Sequence, residues 1–497
     1  MTTGSVGPRL FSLAWPLVAG NLLQTAYNIA DLFWVGRVSA EAVAAVSLMF
    51  PTTWLFVSVA IGLTAAANAV VSQHIGAGNE RRAEHAVAQS VLLALAVAGF
   101  LSTFGLVIRE PLVALIGAEG AVFDAAVAYI EVIFLAIPFT FLFFVFRSSL
   151  RAAGDTKTAM WLVATSAGLN IVIDPVFILE WGPFLGLGAR GAAIATFISR
   201  GMAAALGLYV LVDGGWGIRL RLADLRPDVP VLRRLVDVGY PATLDGLTRS
   251  LAAVVFVAFV ARFGAVATAA YGVGIRLMSV SWTVSGAVGQ AAATGVGQNL
   301  GAGRPDRAAR VTWTGTAGAM AVLFAAGALV FAVPGAVVRA FIADPAVVEA
   351  GVDLLRIIAP FWAFLGGLLV VQGGFRGAGQ TNVAFVLSVL SRWVFRVPVA
   401  VLLAYDAALN PVDVNGLWWA LAASSVVTFV IGVVWFHRGS WQDVVIEDGD
   451  GSTPADTDGA ESGREPTTAS PDGVDTDGEQ TVAHPEGVDD DGEPTTN

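Results

Sequence analysis

Apolar runs of roughly 20 residues, each long enough to cross a hydrocarbon core of about 30 Å, recur along most of the chain with short polar stretches between them. Such runs predict helices, because lipid offers no partner to an unpaired backbone group and a helix satisfies its own. Twelve spans are expected. In the first half they are Leu10–Asp31, Val46–Val71, Ala86–Val107, Ala126–Leu150, Ala159–Leu179 and Ala189–Val212. In the second half they are Gly239–Ala261, Ala267–Val296, Val311–Val333, Gly351–Val371, Val383–Ala404 and Leu417–Phe436. The polar segment Met1–Pro8 leads directly into the first span, without the pattern of a cleavable leader.

The two halves repeat. Gln73-His74-Ile75-Gly76-Ala77-Gly78 returns as Gln298-Asn299-Leu300-Gly301-Ala302-Gly303, at an offset of 225 residues. Arg151-Ala152-Ala153-Gly154 returns as Arg376-Gly377-Ala378-Gly379, and Pro16 as Pro241, at the same 225. Six spans per half is an even number, so both halves enter the membrane in the same direction. They are expected to be related by a two-fold axis along the membrane normal, with a cavity between them. The predicted fold class is therefore an all-α polytopic membrane protein of twelve transmembrane helices in two pseudo-symmetric six-helix lobes. Its parts are an N-terminal lobe at 1–213, an Arg-rich connector at 214–238, a C-terminal lobe at 239–438 and an acidic tail at 439–497.

Composition agrees: 56% of the 497 residues are hydrophobic and 13% charged, where a soluble protein carries about 25% charged. The formal charge of −11 divides unevenly, with −16 on Asp443–Asn497 and +5 on the rest. The tail's Asp, Glu, Gly, Pro and Thr cannot bury enough surface to fold, so it is expected to be disordered. Lys157 is the only lysine in the chain, and arginine as the basic residue beside an acid-rich tail points to a high-salt, GC-rich source. Sixteen basic residues flank the spans on the side of the N-terminus and six on the other. By the positive-inside rule this places both termini in the cytoplasm of a multi-pass plasma-membrane protein. The absence of cysteine excludes disulfides and Cys-ligated metal. No Gly-x4-Gly-Lys-Ser/Thr motif is present, so the energy source is expected to be an ion gradient rather than ATP, and no nucleic-acid partner is expected.

Polar groups inside the spans are the candidate chemistry. Asn21, Gln24, Asn28 and Asp31 are spaced to share one face of the first helix, with Tyr27 beside them. Asn170 and Asp174 lie one turn apart on the fifth, with no basic residue in that span, and Thr196 on the sixth adds a hydroxyl. Two carboxylates, an amide and a hydroxyl suit a hard cation such as Na+, and the same carboxylates could instead carry H+. The bland alternatives are that Asp31 caps the first helix and that Asp174 caps a break before Pro175. Asp245 and Arg249, four apart on the seventh span, could simply pair. Arg200, Arg276, Arg392 and Arg396 have no partner assignable from sequence, and Glu131 is a second-tier candidate. Pro16, inside the first helix, predicts a bend that would act as a gate. An aromatic-lined cavity would suit bulky amphipathic small molecules.

These residues together resemble the multidrug and toxic compound extrusion (MATE) transporters. The resemblance rests on Trp15-Pro16, Gln24-Thr25-Ala26-Tyr27-Asn28-Ile29-Ala30-Asp31 with Trp34-Val35-Gly36, Gln73-x2-Gly76-Ala77-Gly78, Arg151-x2-Gly154-Asp155-Thr156, Asn170-x3-Asp174-Pro175, Gly191-Ala192-Ala193-x-Ala195-Thr196 and the C-half copies above. It implies export of mostly cationic, amphipathic compounds in exchange for Na+ or H+, with no other cofactor and no enzymatic activity, by a protein expected to act as a monomer in lipid. The pattern looks nearest to the DinF-like branch. There Asp31, Asn170, Asp174 and Thr196 would form the cation site, Gln24, Tyr27 and Asn28 would neighbour it, and Pro16 would be the bending proline. The NorM-like branch carries acids in helices 7 and 10, whereas this chain has Gly366-Gly367 in helix 10 and Asp245 followed by Arg249 in helix 7. The alternative function is a flippase for lipid-linked saccharides, which would want a large cationic cavity for pyrophosphate, whereas the arginines here are scattered rather than concentrated on helix 1. A non-transporting scaffold whose partner binds the acidic tail is a third.

Overall fold

The computed structural model describes residues 1–179, 181, 186–215, 217–405 and 413–442. Asp443–Asn497, the segment whose charge marks it as a tail, lies outside the described residues. Twelve long helices follow one another: α1 Val6–Val35, α2 Ala40–Gly76, α3 Glu80–Leu115, α4 Gly120–Ala153, α5 Thr156–Ile178, α6 Gly188–Asp213, α7 Val229–Ala261, α8 Gly264–Gly301, α9 Pro305–Ala332, α10 Pro345–Gly377, α11 Thr381–Ala404 and α12 Asn415–His437. A short helix, Pro334–Arg339, joins α9 to α10. Ten of the twelve are long and apolar enough to cross a membrane by length and composition alone. The other two are α1, diluted by its polar stripe, and α8, rich in Gly, Ser, Thr and Gln. Helix α1 packs on α5 and on α8, and α8 packs on α1 and α2 of the other lobe.

Most helices run further than their apolar cores, since each continues into the polar layer until a residue stops it. Gly154 and Gly214 end α4 and α6 in the left-handed conformation, at φ 97° and 76°, where glycine avoids a Cβ clash. The side chains of Ser39, Asp155 and Asp228 cap α2, α5 and α7. Two helices are irregular inside. Pro360 lies in the 3-10 turn Ala359–Phe361 of α10, and α11 contains a π-turn at Leu390–Arg396.

The lobes interlock through their first helices. Leu10, Leu13 and Leu17 of α1 are buried in the C-terminal core with Ala287, Ala291 and Phe375. Leu235 and Val238 of α7, the repeat equivalents of Leu10 and Leu13, are buried in the N-terminal core. Helix α7 begins at Val229 rather than Gly239, so part of the connector is this crossing segment. Pro16 and Pro241 both lie within helices, at the places where the chain leaves one core for the other.

Past the crossing, α2 and α8 bring the lobes together backbone to backbone. A Cβ at Gly76 would collide with the Gln298 carbonyl, one at Gly301 with the Gln73 carbonyl, and one at Gly297 with Ser72 Oγ. Small residues are how membrane helices approach so closely. The glutamines of the repeated motif then cross the seam: Gln73 Nε2 donates to the Gly377 carbonyl at 3.2 Å, and Gln298 Nε2 to the Ala152 carbonyl at 2.8 Å. Thr294 donates to Asn68 at 3.0 Å, and Arg151 to Gln290. Both glutamine bonds obey the offset of 225 at donor and acceptor, so the seam is itself two-fold symmetric.

The connector is bound to α3. Gln89 donates to the carbonyls of Asp224 and Arg226 at 2.9 and 2.7 Å and accepts from the Asp228 amide at 2.9 Å. Arg81 pairs with Asp224, and His85 with Asp228 at 2.9 Å. The Arg81 guanidinium holds the Asp224 carboxyl below the usual carboxylate range. That pairing stabilises the fold above the ordinary carboxylate pKa, and the contribution is lost as pH falls through the depressed value.

Two outcomes follow. Gln89→Leu strands three backbone groups that Gln89 now satisfies, a loss of about 1–3 kcal/mol, and trypsin should cut the connector at Arg219 or Arg221 faster than in the parent. Equal cutting rates would mean that Gln89 does not hold the connector. Replacing Gly76 by Val should force the seam apart. The chain lacks cysteine, so spin labels at Asn79→Cys and Arg304→Cys read the separation directly. The distance should lengthen in the Gly76→Val background, and an unchanged distribution would discount the seam as the closing contact.

Candidate functional site

The cation-site candidates come together in the N-terminal lobe. Glycine at 191 makes this possible, because a Cβ there would collide with the Phe177 carbonyl of α5. Helix α6 therefore lies directly on α5, and Thr196, further along α6, reaches α1: the Tyr27 and Thr196 hydroxyls are 3.1 Å apart. Asp174 and Asn170 are 0% and 1% exposed. Asp31 on α1 and Asp174 on α5 belong to two helices packed against each other. Among the described residues neither has an ion pair. Asp31 Oδ1, both carboxylate oxygens of Asp174 and both side-chain atoms of Asn170 are buried with no hydrogen-bond partner among protein atoms. Each such atom costs about 1–3 kcal/mol, so a ligand that accepts these oxygens recovers the loss.

Neither capping alternative is seen. Helix α1 continues past Asp31 to Val35, and α5 runs through Pro175 to Ile178. The nearby arginines are engaged elsewhere. Arg200 donates to Gln24 at 3.0 Å and stacks over Phe143 at 4.6 Å, and Arg147 donates to Asn21 at 3.1 Å. Gln24 in turn donates to Asn28 at 3.4 Å. The lower half of the α1 stripe thus holds arginines away from the carboxylates. Sequence reading missed Arg147 and Tyr129. Tyr129 on α4 is buried within electrostatic reach of Asp31, Tyr27 and Asp174, and its position on a largely apolar helix gave no signal. Glu131, the second-tier candidate, instead lies 3.9 Å from Arg109 and is well exposed.

The C-terminal lobe repeats the backbone and discards the acids. Gly416 does for α11 and α12 what Gly191 does for α5 and α6, packing against the Leu403 backbone. The two glycines are 225 residues apart but their contact residues 226, so α11 carries one extra residue, and the π-turn is where a helix accommodates it. With this register Phe256 stands at the position of Asp31, Ala400 at Asp174 and Leu421 at Thr196. Asp245 and Arg249 do pair, at 2.9 Å, but Arg376 also reaches Asp245 at 2.8 Å and Arg392 lies 3.9 Å away. Arginines scattered along the sequence are gathered in space.

A family model described as MatE matches the chain twice, over residues 16–176 and 241–402. The matches start at Pro16 and Pro241, so the two copies it finds are the internal repeat. A probable multidrug resistance protein NorM from Thermotoga maritima is 27% identical, over 87% of this chain and 93% of its own. An FAD transporter from Shewanella oneidensis is 32% identical over 62% of this chain and 68% of its own. The outward-facing structure of a multidrug resistance MATE family transporter of the MOP superfamily superposes with a TM-score of 0.82 at 23% identity, covering 88% and 96% of the two chains.

The close contact at Gly191 can be checked without an activity assay. Gly191→Ala should destabilise the protein by about 1–3 kcal/mol through overpacking, read as a lower unfolding temperature in detergent. Gly201→Ala on the same helix, where a Cβ meets Phe139 at an ordinary 3.9 Å, should be tolerated. Equal melting of the two would show that α5 and α6 need no glycine to approach.

Proposed function

Because the chain belongs to the MATE family of membrane transporters, and is not an enzyme, we propose that it exports amphipathic, mostly cationic small molecules in exchange for Na+ or H+ bound at Asp31, Asn170, Asp174 and Thr196. The observation that carries this reading is the set of buried, unpartnered oxygens of Asp31, Asn170 and Asp174 in one lobe. Two carboxylates, an amide and a hydroxyl meet the oxygen preference of Na+, and protonation of a carboxylate would relieve the same burial. Tyr27, Gln24 and Asn28 line the approach and Pro16 is the bend.

The arginine bias puts the Gln73–Gln298 seam at the cytoplasmic end, so this conformation is the one sealed towards the cytoplasm. In the proposed cycle a cation entering from outside neutralises Asp31 and Asp174. Helix α1 then closes on α5 by flexing near Pro16, and the bound drug leaves outward. Opening the glycine seam exposes the cavity to the cytoplasm, where the ion is released and drug reloads. Only binding that differs between the two states can drive such a change. The ion supplies that difference because it compensates charge whose burial is costly.

Efflux of a fluorescent cationic dye from a drug-sensitive host tests the reading. Wild type should clear the dye, and collapse of either the sodium or the proton gradient should stop it, naming the ion. Asp174→Asn, expressed and folded to the same level, should retain dye like the host alone. Wild-type efflux by Asp174→Asn would remove the N-lobe site from the mechanism.

A further inference from the structure

The N-lobe site leaves the arginines of the other lobe unused. Arg249 on α7, Arg376 on α10 and Arg392 on α11 converge around one carboxylate, Asp245, which is 3% exposed, and Arg396 follows one turn after Arg392 on α11. Arg376 and Arg249 share its Oδ2 at 2.8 and 2.9 Å. Arg392 donates to the Ser388 carbonyl at 3.3 Å, and Arg396 to Ser424 Oγ at 3.4 Å, both neutral acceptors. Three guanidinium groups against one carboxylate leave two positive charges in excess, and Arg396 has no ion pair among the described residues.

The repeat shows that the fold does not need these charges. Arg249 stands where the N-terminal lobe has Gln24. Arg392 stands where it has Ser166 or Ala167, and Arg396 where it has Asn170 or Ile171, according to where the extra residue of the π-turn is counted. The same backbone is built with neutral residues at all three positions. Gln24 lies on the α1 face that carries Tyr27 and Asp31, so Arg249 lies on the corresponding face of α7, and its side chain is 49% exposed. The π-turn, a costly irregularity that recurs at functional sites, carries both Arg392 and Arg396.

We propose that this cluster is a binding site for a phosphate group, with Arg249, Arg392 and Arg396 as its ligands and Asp245 with Arg376 as the pair that positions Arg249. An excess of two charges with Arg396 one turn away exceeds what one carboxylate ligand balances, whereas a phosphate monoester dianion or a pyrophosphate balances it and accepts the fork of each guanidinium. The exporter would then carry anionic amphipaths on its C-terminal lobe, a substrate class separate from the cations expected at the N-terminal one. The phosphate could belong to a soluble organic phosphate or to a lipid headgroup.

The test is equilibrium binding to the purified full-length protein in nanodiscs, with no ion gradient, so it is independent of whether the N-lobe site couples export. The probes are riboflavin 5′-phosphate and riboflavin, fluorescent molecules that differ by one phosphate. The phosphate ester should bind at least about tenfold more tightly, as expected for charge-assisted hydrogen bonds, and added pyrophosphate should compete. Arg392→Gln and Arg249→Gln should each weaken it about tenfold, and Arg392→Lys should recover part of the loss. Nanodiscs of phosphatidylglycerol and of phosphatidylcholine separate the sources: suppression of binding in phosphatidylglycerol alone assigns the site to a lipid headgroup, and equal binding assigns it to soluble phosphates. Equal affinity for the two flavins, tight binding that survives both arginine variants, or no competition from flavin phosphate, pyrophosphate or phosphatidylglycerol would overturn the proposal. A monodisperse Arg392→Lys variant excludes misfolding as the cause of any loss.

Discussion

Two helices from different lobes can touch along their backbones only where side chains are missing, and Gly76, Gly297 and Gly301 supply that absence. In lipid, helix association gains little from hydrophobic burial and relies on close packing and hydrogen bonds between helices. The glycine contact is therefore what allows Gln73 and Gln298 to reach carbonyls of the opposite lobe. Much of the arrangement rests on this contact. It fixes the separation of the lobes at one end, and it leaves the faces of α1 and α7 that carry polar residues beyond it. Because the seam is made twice by one repeated motif, a single displacement of one lobe breaks both glutamine bonds together.

Under this symmetric backbone the chemistry is asymmetric. Gly191 and Gly416 set the same packing of consecutive helices in the two lobes, but one lobe holds Asp31, Asp174 and Thr196 and the other Phe256, Ala400 and Leu421. A charged residue at the centre of a membrane helix costs about 2.5–3.5 kcal/mol on insertion scales. Unpaired carboxylates stand in one lobe and arginines in excess of their one carboxylate in the other, at that cost, which argues that each set acts on a ligand rather than on the fold.

Much of this was legible in the sequence, for physical reasons that also mark its limits. Hydropathy finds helices because lipid imposes it, and the offset of 225 found the repeat because turns and close contacts demand particular residues at Pro16, Gly76 and Gly154. Asp31, Asn170, Asp174 and Thr196 were visible because polar groups in an apolar span are rare. The crossing of α1 and α7 was not visible, since Leu10 and Leu235 are apolar whichever core receives them. The grouping of Arg249, Arg376 and Arg392 was hidden for a different reason. Arg376 reads as a loop cation of the cytoplasmic end, and only its reach to Asp245 takes it out of that tally. The π-turn adds a residue that shifts the repeat register by one, which no fixed offset reveals.

The crossing gives the proposed coupling a mechanical route. Helix α1 is anchored in the C-terminal core by Leu10, Leu13 and Leu17 and carries Asp31 at its other end beside α5 of the N-terminal lobe. On the exporter reading, an ion that relieves the repulsion between Asp31 and Asp174 draws the far half of α1 towards α5 while the near half stays with the opposite lobe. The helix must then flex where it leaves that core, and Pro16, next to the last anchor Leu17, lacks the backbone bond that would stiffen it. No chain of side-chain contacts between the site and the seam is required, because one helix belongs to both lobes. Helix α7 is anchored in the same crossed manner through Leu235 and Val238, but it presents Phe256 where α1 presents Asp31, so an ion has nothing to pull there. On that reading the drive would enter from one lobe, and the symmetric seam would pass it to both.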